Sequence, residues 1–329
     1  MAPLAQRHLL ANLLVSIPLL LATFSGIGLA QGPPKRSDSP PPAEQGRIRV
    51  TVNLVSVLAS VTDGQGRPVP DLPREAFELF EEGLRQKIEV FEPETQLPLD
   101  LALMIDGSLS TLKELPFERE AAAHFIRQVV RPGDRLSVYE FADSVTQLTG
   151  FSSDVPALQA AARRIEPGAG TVLYDAVYLG ARALGKLPAG RRRVIVLVTD
   201  AGETTSRTDF DAARRAALDA EALLYTILIR PVKSESGRNT AGEHALATIT
   251  DSTGGAMYYP EDVTELDATF DRIDRELRTQ YRLAYYPEPR PPEGSLRRIE
   301  VRVKPPETEK DKGEYLVHHR KLYLTSGPP

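Results

Sequence analysis

The sequence predicts an α/β protein: a doubly wound, mostly parallel sheet flanked by helices, inserted into a small β-sandwich that is split between the two flanks. Three observations predict it. Between Leu97 and about Gln280, apolar runs such as LALMI and VIVLVT alternate with amphipathic helical segments, and such alternation implies right-handed crossovers onto a shared sheet. Those runs are continuous, as strands covered on both faces require. On either side of this stretch the pattern changes to strict alternation, the mark of strands with one buried face.

Taken in order, residues 1–30 read as a signal peptide. Arg7 and His8 precede an apolar stretch from Leu9 to Leu21, and small residues follow at Gly26, Gly28 and Ala30. Cleavage after Ala30 leaves Gln31 as the new terminus. Retention as an anchor is the competing reading, because the stretch approaches membrane-spanning length. Residues 31–46, QGPPKRSDSPPPAEQG, are too rich in Pro, Ser and charge to pack and read as a semi-rigid linker. Residues 47–95 form the first β-rich flank. Ile48, Val50, Val52 and Leu54 alternate, and then the phase flips to Val55, Val57, Ala59 and Val61, so a bulge or sheet switch is expected near Leu54. The run DGQG at Asp63–Gly66 signals a hairpin turn, and QKIEVFEPE reads as a further strand.

Residues 96–280 carry the α/β unit. LDLALMID, RLSVYEFA, RRVIVLVTD, ALLYTILIR and AMYYP read as strands. Helices are predicted over 117–130, over DVPALQAAARRIE with Asp154 as N-cap, over 171–187, over DFDAARRAALDAEA, over GEHALATITDSTGG with a closing Gly cap, and over 263–277. Residues 281–329 form the second β-rich flank, with Tyr281, Leu283 and Tyr285, then Ile299, Val301 and Val303, then LYLT. Each flank alone is too small for a comfortable core. Together they approach one sandwich, and insertion is tolerated because domain termini often lie close together.

Composition excludes several classes. The net charge of −5 is nearly balanced and no basic stripe interleaved with aromatics appears, which argues against nucleic acid. The one cluster, Arg191–Arg193, reads as a solvated strand entrance. The chain has no Cys, which removes disulfides, thiolate metal sites and cysteine nucleophiles. A serine nucleophile has no GxSxG elbow, and GAGT has no following Lys to make a phosphate loop. His124 reads as a core histidine, and His318 and His319 face opposite sides of a strand.

The chemistry-bearing constellation is spread over about a hundred positions. Asp106, Ser108 and Ser110 lie in LMIDGSLS, Thr171 in GAGTVLYDA and Asp200 in VLVTDAGE. All five offer the oxygen ligands that a hard divalent cation prefers. Both Asp residues end an apolar strand, and in an open α/β sheet the ligand site lies beyond the carboxyl ends of the strands. Asp175, four residues past Thr171, would orient a water or cap a loop, and Glu203 reads as a solvated rim residue.

This pattern resembles the metal-ion-dependent adhesion site of the von Willebrand factor type A domain, whose Asp-x-Ser-x-Ser, Thr and Asp are all filled here in order. One departure is Ala201 after the last Asp, where the family often has Gly. The arrangement of β flank, A domain and β tail resembles bacterial exported proteins of the VWFA-related type. The resemblance implies direct binding of the ion by the two Ser and the Thr, with the two Asp residues acting mainly through water. It also implies Mg²⁺, with Mn²⁺ or Ca²⁺ as substitutes, and a non-enzymatic adhesion or protein-binding role. The expected partner is a protein with an exposed Asp or Glu, met in the periplasm, at the cell surface or after secretion. A membrane would be involved only if residues 1–30 stay attached. The alternatives are a structural subunit of an envelope assembly with a stabilising metal, or a metal-dependent hydrolase.

Overall fold

The structure, a computed structural model, describes residues 54–93, 96–229, 239–304 and 315–325. The signal segment, the linker and the strand pattern of Ile48, Val50 and Val52 lie outside the described residues.

The first flank supplies β1 (Val55–Thr62), β2 (Phe77–Glu81), β3 (Leu84–Gln86) and β4 (Val90–Glu92). On β1 the predicted face of Val55, Val57, Ala59 and Val61 is buried. The DGQG turn forms as read: Asp63 accepts from the Gln65 and Arg67 amides at 2.9 Å each, and Gly66 takes φ 71. The run QKIEVFEPE is not one strand. Gln86 ends β3 in one sheet and Val90 begins β4 in another, because Ile88 between them is 6% exposed in the space between the sheets' residues.

The central sheet contains β5 (Leu99–Asp106), β6 (Arg135–Phe141), β7 (Val145–Gln147), β8 (Arg192–Thr199), β9 (Ala222–Leu228) and β10 (Met257–Tyr258). Its order is β10-β9-β8-β5-β6-β7. Every pairing is parallel except that of β7, which folds back on β6. The helices are α1 (Leu115–Val129), α2 (Val155–Ala162), α3 (Leu173–Gly185), α4 (Phe210–Asp219), α5 (Thr240–Thr253) and α6 (Leu266–Arg278). Alternate residues of β5 serve two helical layers, as strand geometry dictates. Leu101, Leu103 and Ile105 pack with α1, α2 and α6; Ala102 and Met104 pack with α3, α4 and α5. The predicted caps are in place: Asp154 accepts from the Ala157 amide and Gly254 closes α5 at φ 87; Asp209, which the sequence reading did not single out, caps α4 by accepting from the Ala212 amide.

Two further four-stranded antiparallel sheets use β11 (Tyr281–Tyr285), β12 (Leu296–Val303), β13 (Leu316–His319) and β14 (Leu322–Leu324). Their orders are β13-β1-β11-β4 and β14-β12-β2-β3. Each sheet mixes strands from before and after the α/β unit, and one apolar cluster joins them, including Val57, Phe77, Leu79, Tyr281, Leu283, Tyr285 and Ile299.

Arg191–Arg193 corrects the reading of a solvated cluster. Arg191 and Arg135 both pair with Asp100, which is fully buried. Arg192 is 4% exposed and donates to the Leu97 and Leu277 carbonyls. Arg193 donates to the Leu187 and Ala220 carbonyls. Strand starts and helix ends leave carbonyl groups without partners, and three guanidiniums collect them at this edge. His124 is also corrected: its side chain is half exposed and stands 3.2 Å from Asp267 Oδ1, so it belongs to the surface rather than the core.

Candidate metal centre

The site is built where β5 and β8 stop. They run parallel with Ile105 opposite Val198, so Asp106 and Asp200 emerge at the same edge. Asp106 is fully buried. Its Oδ1 accepts from the Ser108 amide at 2.9 Å and its Oδ2 from the Thr199 hydroxyl at 2.6 Å. The loop then turns through a short 3₁₀ segment, Leu109–Thr111. Thr111, itself fully buried, ties it by donating to the Asp106 and Ser108 carbonyls. This turn sets the Ser108 and Ser110 hydroxyls 2.8 Å apart.

A second loop reaches the same edge because two backbones meet closely. The Gly168 amide donates to the Gly107 carbonyl at 2.8 Å. A Cβ on Gly107 would lie 2.6 Å from the Glu166 carbonyl oxygen, so only glycine fits there. Asp143 accepts from the amides of Ala169 and Gly170 at 2.9 Å each and fixes the loop before Thr171. Thr171, 3% exposed, lies just ahead of α3. The Thr204 hydroxyl accepts from its amide at 2.8 Å, and its carbonyl accepts from the Thr204 amide at 2.9 Å. A methyl group on Gly202 would stand 3.0 Å from Asp200 Oδ1 and 3.3 Å from Thr171 Oγ1. Those two oxygens therefore flank one point.

All five residues singled out in the sequence thus meet at one edge. Asp175 and Glu203 do not join them as free groups. Asp175 accepts from the Arg207 and Thr208 amides, the loop-capping half of its reading. Glu203 is no solvated rim residue: it accepts from the Tyr174 amide at the start of α3 and from the Ser206 amide and hydroxyl. A carboxylate there complements the positive end of the helix.

The electrostatics are unusual for a core. Burial pushes the Asp106 carboxyl up to about 6, with the like charge of Asp200 adding to it and the bonds from Thr199 and Ser108 opposing. Glu118 on α1, 1% exposed, is held well above the ordinary carboxylate range by burial and then by Asp106, Glu114 and Asp200. Neither Glu118 oxygen has a hydrogen-bond partner. The nearby cation, Arg119, gives its Nη2 to the Ile165 carbonyl instead. Acidic oxygens gathered with hydroxyls, with Arg119 as an opposing charge on Glu118, fit a hard divalent cation. Among the described residues no group of three or more His, Cys, Asp or Glu stands at metal-ligand spacing; three of the five candidate oxygens belong to Ser and Thr.

Sequence reasoning missed Glu118, Thr199, Thr111, Thr204 and Asp143. Thr199 and Asp143 carried a signal, since each sits at or just past a strand end at the site's edge. Glu118 carried none beyond its place one turn into α1.

Comparison with known proteins gives the following. No curated protein matches the chain. Among solved structures it is similar to the conserved hypothetical protein BatB from Bacteroides thetaiotaomicron, with TM-score 0.44, 16% identity, and 54% of this chain covering 98% of that one. A von Willebrand factor type A protein from Catenulispora acidiphila gives TM-score 0.49 and 13% identity over 83% of this chain and 74% of that one. The von Willebrand factor domain of the type V pili tip protein Mfa5 from Porphyromonas gingivalis gives TM-score 0.41 and 13% identity over 55% and 95%. Residues 101–203 match the family model of the von Willebrand factor type A domain, and the α/β unit has that fold, a mostly parallel sheet between two helical layers.

Proposed function

We propose that this chain is an exported protein-binding module that captures a partner carboxylate through a divalent cation. The observation that carries the reading is Asp106: a fully buried carboxylate at a strand end, beside Asp200, with hydroxyls arranged around it and no cationic partner. Ser108, Ser110 and Thr171 would hold the ion directly, and Asp106 and Asp200 would hold its waters. Mg²⁺ suits such oxygens, and Mn²⁺ or Ca²⁺ would substitute. A bound cation of this kind supplies an electrophilic position that an Asp or Glu of the partner fills.

The protein's own residues do the rest. Thr199 and the Ser108 amide fix the Asp106 carboxylate so that it cannot swing. Thr204 and Asp143 fix the Thr171 loop. The surrounding surface is suited to a protein partner, since the Ser108 loop and the first turn of α1 expose Leu109 at 57%, Leu112 at 46% and Phe117 at 54%. Exposed apolar side chains beside a charged centre are the composition of a recognition surface. Export is part of the proposal and rests on residues 1–30. Among the described residues no helix is long and apolar enough to cross a membrane.

Calorimetry on chelator-stripped protein tests the site. Mg²⁺ or Mn²⁺ binds once per chain in the wild type, and Asp106→Ala and Thr171→Ala abolish or severely weaken it while leaving the fold intact. Equal binding by wild type and Asp106→Ala would sink the assignment. For the partner, pull-down from an envelope extract is lost on chelation and restored by Mg²⁺. Retention that ignores the metal would mean that the cation only stabilises the fold.

A further inference from the structure

We propose that Glu118 is a sixth member of the cation site, a positioning carboxylate outside the five-residue pattern that completes the site's charge from the α1 side. The inference rests on the metal-binding reading above and adds a residue to it.

Glu118 lies on the buried face of α1, in line with Leu115, Ala121, Ala122 and Phe125. Position and amphipathic pattern alone would put an apolar residue there. Instead there is a carboxylate, 1% exposed, with both oxygens unpartnered. Such a group is among the costliest a core can contain unless something compensates it. Its surroundings make the cost greater. Asp106, Glu114 and Asp200 all lie within Coulombic reach, and Glu114 has an unpartnered buried oxygen of its own. The place near the positive N-terminal end of α1 offsets only part of this.

Two things could satisfy Glu118: a proton or a cation. A proton makes Glu118 a neutral core residue indifferent to the metal. A cation at the edge of β5 and β8 makes it part of the charge set that receives that ion. The cation is favoured because the unsatisfied oxygens lie within Coulombic reach of Asp106 and Asp200 and add to the acidic charge there. Glu118 does not complete a three-carboxylate ligand group with them. Its action is therefore through water and through its field on the ion, as outer residues of metal sites commonly act.

The test uses the full chain, stripped with chelator, and two variants. Glu118→Gln keeps the shape and deletes the charge; Glu118→Asp keeps the charge on a shorter stem. Mn²⁺ affinity is measured by calorimetry, and stability without metal by urea unfolding in EDTA. The expected results are a loss of Mn²⁺ affinity of roughly tenfold in Glu118→Gln, affinity near wild type in Glu118→Asp, and a higher urea midpoint for Glu118→Gln without metal. The last result follows because an unpaired buried charge has been removed. Glu118→Gln binding Mn²⁺ as tightly as wild type overturns the proposal. So does equal weakening in both variants, which would mean shape rather than charge. A lower urea midpoint for Glu118→Gln without metal also overturns it, because the carboxylate would then be serving the fold. If the wild type itself binds no Mn²⁺, or if Asp106→Ala binds it equally well, the underlying metal-binding reading fails and this one with it. If wild type binds, Asp106→Ala does not and Glu118→Gln is unchanged, only the role of Glu118 falls.

Discussion

Ala201 follows Asp200 at φ 62, in the left-handed region, and is fully buried. This is the position where the A-domain pattern often has Gly, so the departure seen in the sequence has a physical cost. A left-handed L-residue loses roughly 1–2 kcal/mol. Ala201→Gly recovers that but gives up a buried methyl group, about 0.8 kcal/mol, and frees the unfolded chain by roughly 0.4–1 kcal/mol. The terms nearly cancel, so Ala201→Gly should change stability by less than about 1 kcal/mol. Ala201→Val adds a β-branch where φ is positive and should cost more than about 2 kcal/mol. Urea unfolding of the two variants checks this; a valine variant as stable as wild type would show that the loop does not need the left-handed turn. At this scale the convergence of the five candidate residues was legible because each carries a spacing or a strand-end position. Glu118 was not, because one acidic residue inside EREAAAHF reads as part of a solvent face. Thr111 and Thr204 were not, because a hydroxyl that braces a loop leaves no pattern in the sequence; Thr199 had only its place at the end of β8 to mark it.

Long elements were legible, and of the short ones β10 and β14 were read as strands while β7 and β13 were not. The continuous runs of β5, β8 and β9 and the capped helices have enough residues for periodicity to speak. β7 and β13 have three and four residues, and β13 contains two histidines. The three arginines at the foot of β8 misled because charge clusters usually face water, whereas these collect carbonyls that the elements leave open. His319 of β13 lends itself to a test. It is 3% exposed, its Nε2 accepts from the Val301 amide of β12 at 3.1 Å, and its Nδ1 stands 2.9 Å from the Arg320 carbonyl. The ring is therefore neutral with its proton on Nδ1, and it links the two antiparallel sheets. Burial holds its pKa below the usual histidine range, against an upward pull from the Arg320 carbonyl. The sign follows: the unfolded chain takes up this proton first as pH falls below about 6.5, so the stability due to His319 is full above that value and fades below it. Relative to His319→Gln, which has no such titration, wild type should lose roughly 1 kcal/mol between pH 7.5 and 5.5. A stability gap that stays constant over that range would mean that the ring is not held neutral.

At the scale of the molecule, the β-sheets seat against the edge opposite the candidate metal centre. Arg320 donates to Glu221 at the start of β9 and to the Ser56 carbonyl of β1. Gln280 reaches Ser60 and the Tyr225 hydroxyl. Glu276 of α6, 3% exposed, accepts from Tyr225 and Tyr258 and stands 3.4 Å from His318 of β13. These contacts lie away from the loops of the candidate site, and the last helix of the α/β unit is bonded into the sheets that carry it. The arrangement makes the two flanks interdependent. β1 lies between β11 and β13, and β2 lies between β12 and β3, so a chain cut after Gln280 leaves β1 without neighbours on either side. Val57, Ala59, Val61, Phe77 and Leu79, all buried in the intact protein, would lose their cover, and the free strand edges would invite pairing between chains. The central sheet draws its two apolar layers from residues before Tyr281, so it should persist. Hydrogen exchange on the truncated chain should then show protection kept over Leu101–Ile105 and lost over Val55–Thr62, with aggregation at concentrations where the intact protein stays dispersed. A soluble truncated chain that keeps protection over Val55–Thr62 would mean that β1 and β2 hold together without the tail, and that the two flanks are separate units that merely touch.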